Sequence, residues 1–156
     1  MFESAKIVLR SISNCESRNW SNWDRESVSG HPMLLDFAES LGIKVTYTNR
    51  KRQDILGMYI WDSDEVELYV TYEPVFYHEL AHAIHRRLDI NYSESIEEVT
   101  CDIVACILFL EYYGIDESKD IGWTISQYGV SKFELKKCEL NAMKVINFLR
   151  KRMVRH

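Results

Sequence analysis

Apolar residues recur at helical spacing at the start of the chain, where Phe2, Ala5, Val8, Leu9 and Ile12 share one face and predict an amphipathic helix over residues 2–12. A polar stretch follows over 13–30, and Trp20 and Trp23 within it read as anchors that pin a loop to the core. His31-Pro32 opens a second helix, because proline suits the first helical turn, and Leu34, Leu35, Phe37, Ala38 and Leu41 line one face until Gly42 stops it. The period then changes. Residues 43–48 read as a strand, and 56–61 and 66–71 are β-branched and aromatic runs that bracket Asp62-Ser63-Asp64-Glu65, a hairpin signal. These three runs predict a small, largely antiparallel sheet.

Pro74 marks the next helix, which runs to about residue 88. Residues 95–113 carry Ile96, Val99, Ile103, Val104, Ile107, Leu108 and Leu110, apolar over so much of the helix surface that this element must be central, and Gly114 ends it. A shorter helix is predicted over 120–128. The last opens on a capping box, Ser131-x-x-Glu134, and places Leu135, Cys138, Ala142, Val145 and Leu149 on its inner side. A sheet followed by a helical half is the α+β class. The length of 156 residues fits one domain with one core: an N-terminal helix and loop over 1–33, a central part over 34–113, and C-terminal helices over 114–156.

With 46% hydrophobic and 28% charged residues the chain is globular in composition, and its formal charge of −5 argues against general polyanion binding, which needs a basic face. The one basic cluster, Lys144, Arg150, Lys151, Arg152 and Arg155, falls at the end of the last helix, where cations complement the helix dipole. The N-terminus lacks a charged-then-apolar signal pattern, and no apolar run reaches the roughly 18 to 20 residues of a bilayer span, so a cytoplasmic protein is expected. Cys15, Cys101, Cys106 and Cys138 show no C-x-x-C spacing and read as reduced, buried packing residues.

The chemistry concentrates in His78-Glu79-x-x-His82. Residues four apart on a helix rise from one face a turn apart, so both imidazoles can converge on one tetrahedral ion, expected to be zinc. Glu79, one position on, can reach a water on that ion without displacing a ligand, the place of a general base. The next helix offers a third ligand in Glu98, with Asp102 a turn later on the same face to accept the outer N–H of a ligand imidazole. Two histidines and a carboxylate leave the fourth position open, the pattern of catalytic sites. Ser95-x-x-Glu98 also reads as a capping box that would turn Glu98 back onto its own helix end. With Glu98 as ligand, Glu97 is a solvated first-turn charge. His85 reads as a hydrogen-bonded histidine on the rim, with ligation or substrate contact as its alternatives. Tyr128, with Tyr77 and Tyr92 as alternatives, is the expected hydroxyl for stabilising an oxyanion.

These residues resemble a known group. The segments 34–43, Gly57-Met58-Tyr59, 67–70, Tyr77-His78-Glu79-Leu80-Ala81-His82 and Glu97-Glu98 with Asp102 look like the short gluzincin domain of the ImmA/IrrE metallopeptidase family, and 97–114, 123–128 and Asn141-Ala142 look more like the metallopeptidase domain of ArdC-type anti-restriction proteins. The resemblance implies a zincin-like fold, His78, His82 and Glu98 as zinc ligands, Glu79 as base, and intracellular proteolysis, often of regulators. Asp102-Ile103-Val104 stands where ImmA/IrrE proteins more usually have Asn-Phe-Ala, and a histidine often found four residues after the second ligand is displaced to His85. ArdC-type proteins also carry a separate domain for single-stranded DNA. The first 33 residues are too few for one, so nucleic-acid binding is not carried over.

The expected function is therefore a zinc endopeptidase acting on a protein or peptide substrate that adds as a strand to an edge presented by residues 66–71. The alternative from another class is a binding or inhibitory protein, anti-restriction-like, with a structural or vestigial metal site.

Overall fold

In the computed structural model, which describes residues 2–13, 32–48, 55–90 and 93–153, the long apolar helix that the sequence places over 95–113 is the one on which four other helices pack. Helix α1 spans Phe2–Ser13 and α2 spans Pro32–Ser40. Three short strands follow, β1 (Lys44–Tyr47), β2 (Gly57–Ile60) and β3 (Glu65–Leu68), then α3 (Glu73–Arg87) and α4 (Glu94–Tyr113). A single 3-10 turn at Ser118–Asp120 leads into α5 (Ile121–Tyr128), and α6 (Lys132–Met153) closes the described chain. Trp20, Trp23, Cys15, Tyr92 and Arg155 lie outside the described residues.

Helix α4 packs against α3, α6, α1 and α5, and Ile103, Val104, Ile107, Leu108 and Phe109 on it are all but completely buried. Each such side chain contributes about 1.5–3 kcal/mol by leaving water, which makes α4 the element whose position the remaining helices follow. It stops where the sequence predicts, because Gly114 takes the left-handed conformation at φ 69° and returns its N–H to Leu110 O at 2.9 Å. At α6 the capping box forms in both directions, Glu134 N–H to Ser131 Oγ at 3.1 Å and Ser131 N–H to Glu134 Oε1 at 3.2 Å. Cys101, Cys106 and Cys138 are buried and free, and the basic residues Arg150, Lys151 and Arg152 occupy the last turn of α6. Among the described residues no helix is long and apolar enough to cross a membrane.

The sheet is three-stranded and mixed, not largely antiparallel, with the order β1-β3-β2. β2 and β3 form the predicted hairpin, Gly57 opposite Leu68 and Ile60 opposite Glu65, while β1 runs parallel to β3 with Lys44 opposite Glu65. The hairpin turn forces antiparallel pairing of β2 and β3. Nothing local fixes the side on which β1 joins, and it joins β3 rather than its sequence neighbour. One consequence corrects a functional expectation: β3 is the central strand and presents no free edge, and the edges belong to β1 and β2. Alternation along β3 buries Val66 and Leu68 against the helices and turns Glu65 and Glu67 away.

Arginines at the end of α3 hold the hairpin tip down. Arg87 pairs with Asp64 at 2.5 and 3.0 Å, and Arg86 donates to Tyr59 Oη at 3.1 Å while stacking 4.1 Å above the Trp61 ring. β2 is thereby fixed across α3, over the turn that carries His78 and Glu79.

Candidate metal centre

Helix α3 places His78 and His82 one turn apart with ring centroids 4.8 Å apart, and their Nε2 atoms approach to 3.1 Å. From α4, Glu98 reaches both: Oε2 lies 3.1 Å from His78 Nε2 and Oε1 lies 3.2 Å from His82 Nε2. One ligand atom from each of His78, His82 and Glu98 lies within 4.8 Å of the other two, a group that could hold a metal ion. Glu98 does not cap its own helix, which begins at Glu94 behind Ser93 and has no side-chain hydrogen bond at its cap.

The outer nitrogens are held as well. His78 Nδ1 lies 2.5 Å from Asp102 Oδ1, and the other oxygen of Asp102 accepts a hydrogen bond from the Thr124 hydroxyl on α5. His82 Nδ1 lies 2.8 Å from Glu97 Oε1, so Glu97 is not a solvated first-turn charge but the counterpart of Asp102. α4 lies so close along α3 that both consecutive glutamates are drawn into the site, one to each side of the ring of His82.

The chemistry of this donor set fits a cation. Ionised Asp102 and Glu97 only accept hydrogen bonds, so each fixes its ring proton on Nδ1 and leaves Nε2 a bare lone pair. Two bare lone pairs and the Glu98 carboxylate then converge with no hydrogen among them, an arrangement that requires positive charge at its centre. Without an ion, protons supply that charge. Burial disfavours the cationic form of His78, yet Asp102 and Glu98 hold its pKa well above the ordinary 6.5. His82 is raised in the same way, against burial, by Cys101, Glu97 and Glu98. Glu98 is in turn depressed far below the ordinary carboxylate range, since hydrogen bonds from His78 and His82 overcome its desolvation.

Glu79 is buried beside this cluster without contributing a ligand atom to it. Burial raises its pKa, opposed by the charges of His78 and His82 and by the backbone N–H of Tyr59 on β2. It opens onto a cavity of about 190 Å³ that His78, Glu98, Asp102, Trp123 and Tyr128 also line. Tyr128 thus stands at the centre, its phenol pKa raised by burial and by Glu98, so its hydroxyl stays protonated and able to donate. Tyr77 does not: it is fully buried in the core, its hydroxyl directed to Glu73 and Tyr113.

His85 is neither on the rim nor a ligand. It is 2% exposed because α4 covers that side of α3, and its Nδ1 lies 3.7 Å from the same Glu97 oxygen that serves His82. Four contributors went unseen in the sequence: Glu97 as an imidazole partner, Thr124 behind Asp102, Trp123 in the cavity wall, and Gly57 at its edge. All four fall in segments that carry the family resemblance, which assigned them no role, and helical spacing gave a signal for Glu97, which lies one turn before Cys101 on the stripe that also carries Glu98 and Asp102. No family model, curated protein or solved structure matches the chain.

Proposed function

We propose that the chain is a zinc-dependent peptidase whose metal is held by His78, His82 and Glu98. A tetrahedron's edge is about 1.63 times its centre-to-vertex distance, so zinc bonded at about 2.0–2.1 Å sets its donors about 3.3 Å apart. The two Nε2 atoms, 3.1 Å apart, are close to that spacing, Glu98 faces both of them with one oxygen 3.1 Å from His78 Nε2 and the other 3.2 Å from His82 Nε2, and two imidazoles with one carboxylate are a donor set suited to zinc rather than to magnesium or calcium. A zinc ion bound there supplies Lewis acidity toward a substrate carbonyl and a water.

The chain's own groups supply the rest. Glu79 is a carboxylate whose proton affinity is raised by burial, so it accepts a proton from the attacking water and returns it to the leaving amine. The Tyr59 N–H fixes the orientation of that carboxylate. Asp102 and Glu97 keep the ligand imidazoles in the tautomer that presents Nε2. Tyr128 donates a hydrogen bond toward the oxygen on which negative charge develops.

An extended substrate has a place to lie. Tyr69 N–H bonds to Leu56 O at 2.9 Å, so by alternation along the ladder Gly57 and Tyr59 point their backbone groups away from β3. Tyr59 spends its N–H on Glu79, and Gly57, which lines the cavity, has an outward N–H and C=O with no partner among the described residues, available to pair with a peptide backbone. This reading moves the substrate edge from β3, where the sequence led us to expect it, to β2.

The observation that carries the proposal is the convergence of two Nε2 lone pairs and a carboxylate beside a carboxylate that is not itself a ligand. The test is Glu79→Gln in the zinc-loaded chain, assayed on a random peptide library. Zinc content is expected to stay at one ion per chain while hydrolysis falls by about 10²–10⁴-fold. Hydrolysis at the unaltered rate in that variant would end the proposal.

A further inference from the structure

The walls of the cavity at the metal centre divide by chemistry. The metal-centre side chains His78, Glu79, Glu98 and Asp102 form one part of the lining. The rest is formed by Ile55 and Leu56 leading into β2, Val75 on α3, and Trp123, Thr124 and Tyr128 on α5. The Thr124 hydroxyl is committed to Asp102, and among the described residues no lysine or arginine lines the space. The carboxylates of the lining are already engaged, Glu98 by the two imidazoles, Asp102 by His78 and Thr124, and Glu79 by the Tyr59 N–H, so a charged side chain packed against these walls would lose its hydration for little return.

Size narrows the occupant further. The cavity is about 190 Å³. An apolar cavity of about 150 Å³ accepts benzene, so this one has room for a phenyl or isobutyl group and leaves a methyl group largely uncontacted. Its walls are also firm. Val75 and Trp123 project from helices rather than loops, and the residue after Trp123 is the threonine tied to Asp102, which sets wall and metal centre in one register.

We propose that this cavity is the specificity pocket for a bulky apolar side chain of the phenylalanine, leucine or methionine class, carried by the substrate residue that adjoins the scissile bond, with Trp123 as the wall that sets its size. The inference rests on the peptidase reading for the words "scissile bond" alone. The preference for a bulky apolar group is a property of the walls and holds with or without turnover.

Two measurements test it together. The zinc-loaded chain is given a random peptide library and the cleavage sites are read by mass spectrometry. In parallel, N-acetyl amides of phenylalanine, leucine, alanine, glutamate and lysine are titrated into the metal-free chain and the zinc-loaded Glu79→Gln chain. Phenylalanine, leucine and methionine are expected at one fixed position beside the cleaved bond. The phenylalanine and leucine amides are expected to bind at least about tenfold more tightly than the alanine amide, the smallest discrimination a hydrophobic pocket gives per added group. Trp123→Ala should erase that ratio and Trp123→Phe should keep it; the second variant guards against a folding defect in the first.

The outcomes separate. Cleavage without side-chain preference, or with a charged residue preferred, overturns the pocket and leaves the peptidase standing. No cleavage, with the amide ranking intact, sinks the peptidase and supports the pocket's preference. Amides that bind alike overturn the inference whatever the turnover.

Discussion

Asp102 and Thr124 are joined by a hydrogen bond from the threonine hydroxyl to one carboxylate oxygen, while the other oxygen lies 2.5 Å from His78 Nδ1. The link runs from α5 through α4 to α3, so the orientation of the His78 imidazole depends on a helix that contributes nothing to the His78-His82-Glu98 cluster. Asp102→Ala should lower zinc affinity by about 10–100-fold, the usual cost of removing a carboxylate behind a ligand histidine. Thr124→Val should lower it by a smaller factor, because Asp102 then keeps its charge and loses only its tether. Competition against a chromophoric chelator reads both values. Equal affinity in Asp102→Ala and wild type would remove the carboxylate from the site's function.

Glu97 makes the corresponding contact with His82 at 2.8 Å, and its pKa is lowered by that hydrogen bond. Glu97→Ala should weaken zinc binding within the same range as Asp102→Ala. A first-turn surface charge, by contrast, contributes a few tenths of a kcal/mol to helix stability and nothing to metal affinity. The two roles therefore differ in kind, and a variant that loses helix stability with zinc affinity unchanged would restore the surface reading.

That contrast shows what was legible in the sequence and what was not. The i, i+4 histidines, the glycine that ends α4 and the capping box of α6 are local relations, decided within one or two helical turns, and the spacing conveys them. The parallel pairing of β1 with β3 depends on contacts between segments far apart in sequence, for which periodicity carries no information. Glu97 was obscured for another reason: an acid in the first turn of a helix already has a sufficient local explanation. Thr124 carries no local sign of its role, which exists only once α5 is laid against α4. His85 lies in the interior rather than on the rim through the same packing of α4 on α3 that brings Glu98 to His78 and His82.

The raised imidazoles give the metal-free and zinc-loaded chains opposite responses to pH. In the metal-free chain His78 and His82 have folded-state pKa values above the unfolded 6.5, so the folded state holds more protons there. Their stabilisation is complete below about pH 6.5 and is lost as pH rises through the folded values. In the zinc-loaded chain the imidazoles are neutral ligands, so acid favours the unfolded state, and stability should climb to about pH 6.5 and then level off. Thermal melts from pH 5.5 to 9 should show the metal-free Tm falling above neutrality while the zinc-loaded Tm does not. Zinc uptake near neutral pH should also release protons, visible as a calorimetric heat that changes with the ionisation enthalpy of the buffer. Parallel Tm profiles and a buffer-independent heat would contradict this electrostatic account.

At Gly57 strand β2 lies close against Val75 of α3 and against β3. A Cβ there would stand 3.0 Å from Val75 Cγ1, 3.1 Å from Leu68 Cδ2 and 3.2 Å from Glu67 O. The first two are side-chain methyls that can shift by a few tenths of an ångström. The third is backbone of the central strand, and it yields only if β2 moves away from β3. Gly57→Ala should therefore cost about 1–3 kcal/mol, in the range of overpacked interiors, read as a lowered denaturant midpoint at unchanged m-value. The displacement should also reach the chemistry, because β2 carries the Tyr59 N–H that orients Glu79 and, in the peptidase reading, the edge on which substrate lies. Turnover is then expected to fall more than zinc affinity does, since the ligands sit on α3 and α4 and keep their places. If Gly57→Ala is as stable as wild type and equally active, β2 is not held against α3 by the absence of that side chain, and the close approach does not govern the site.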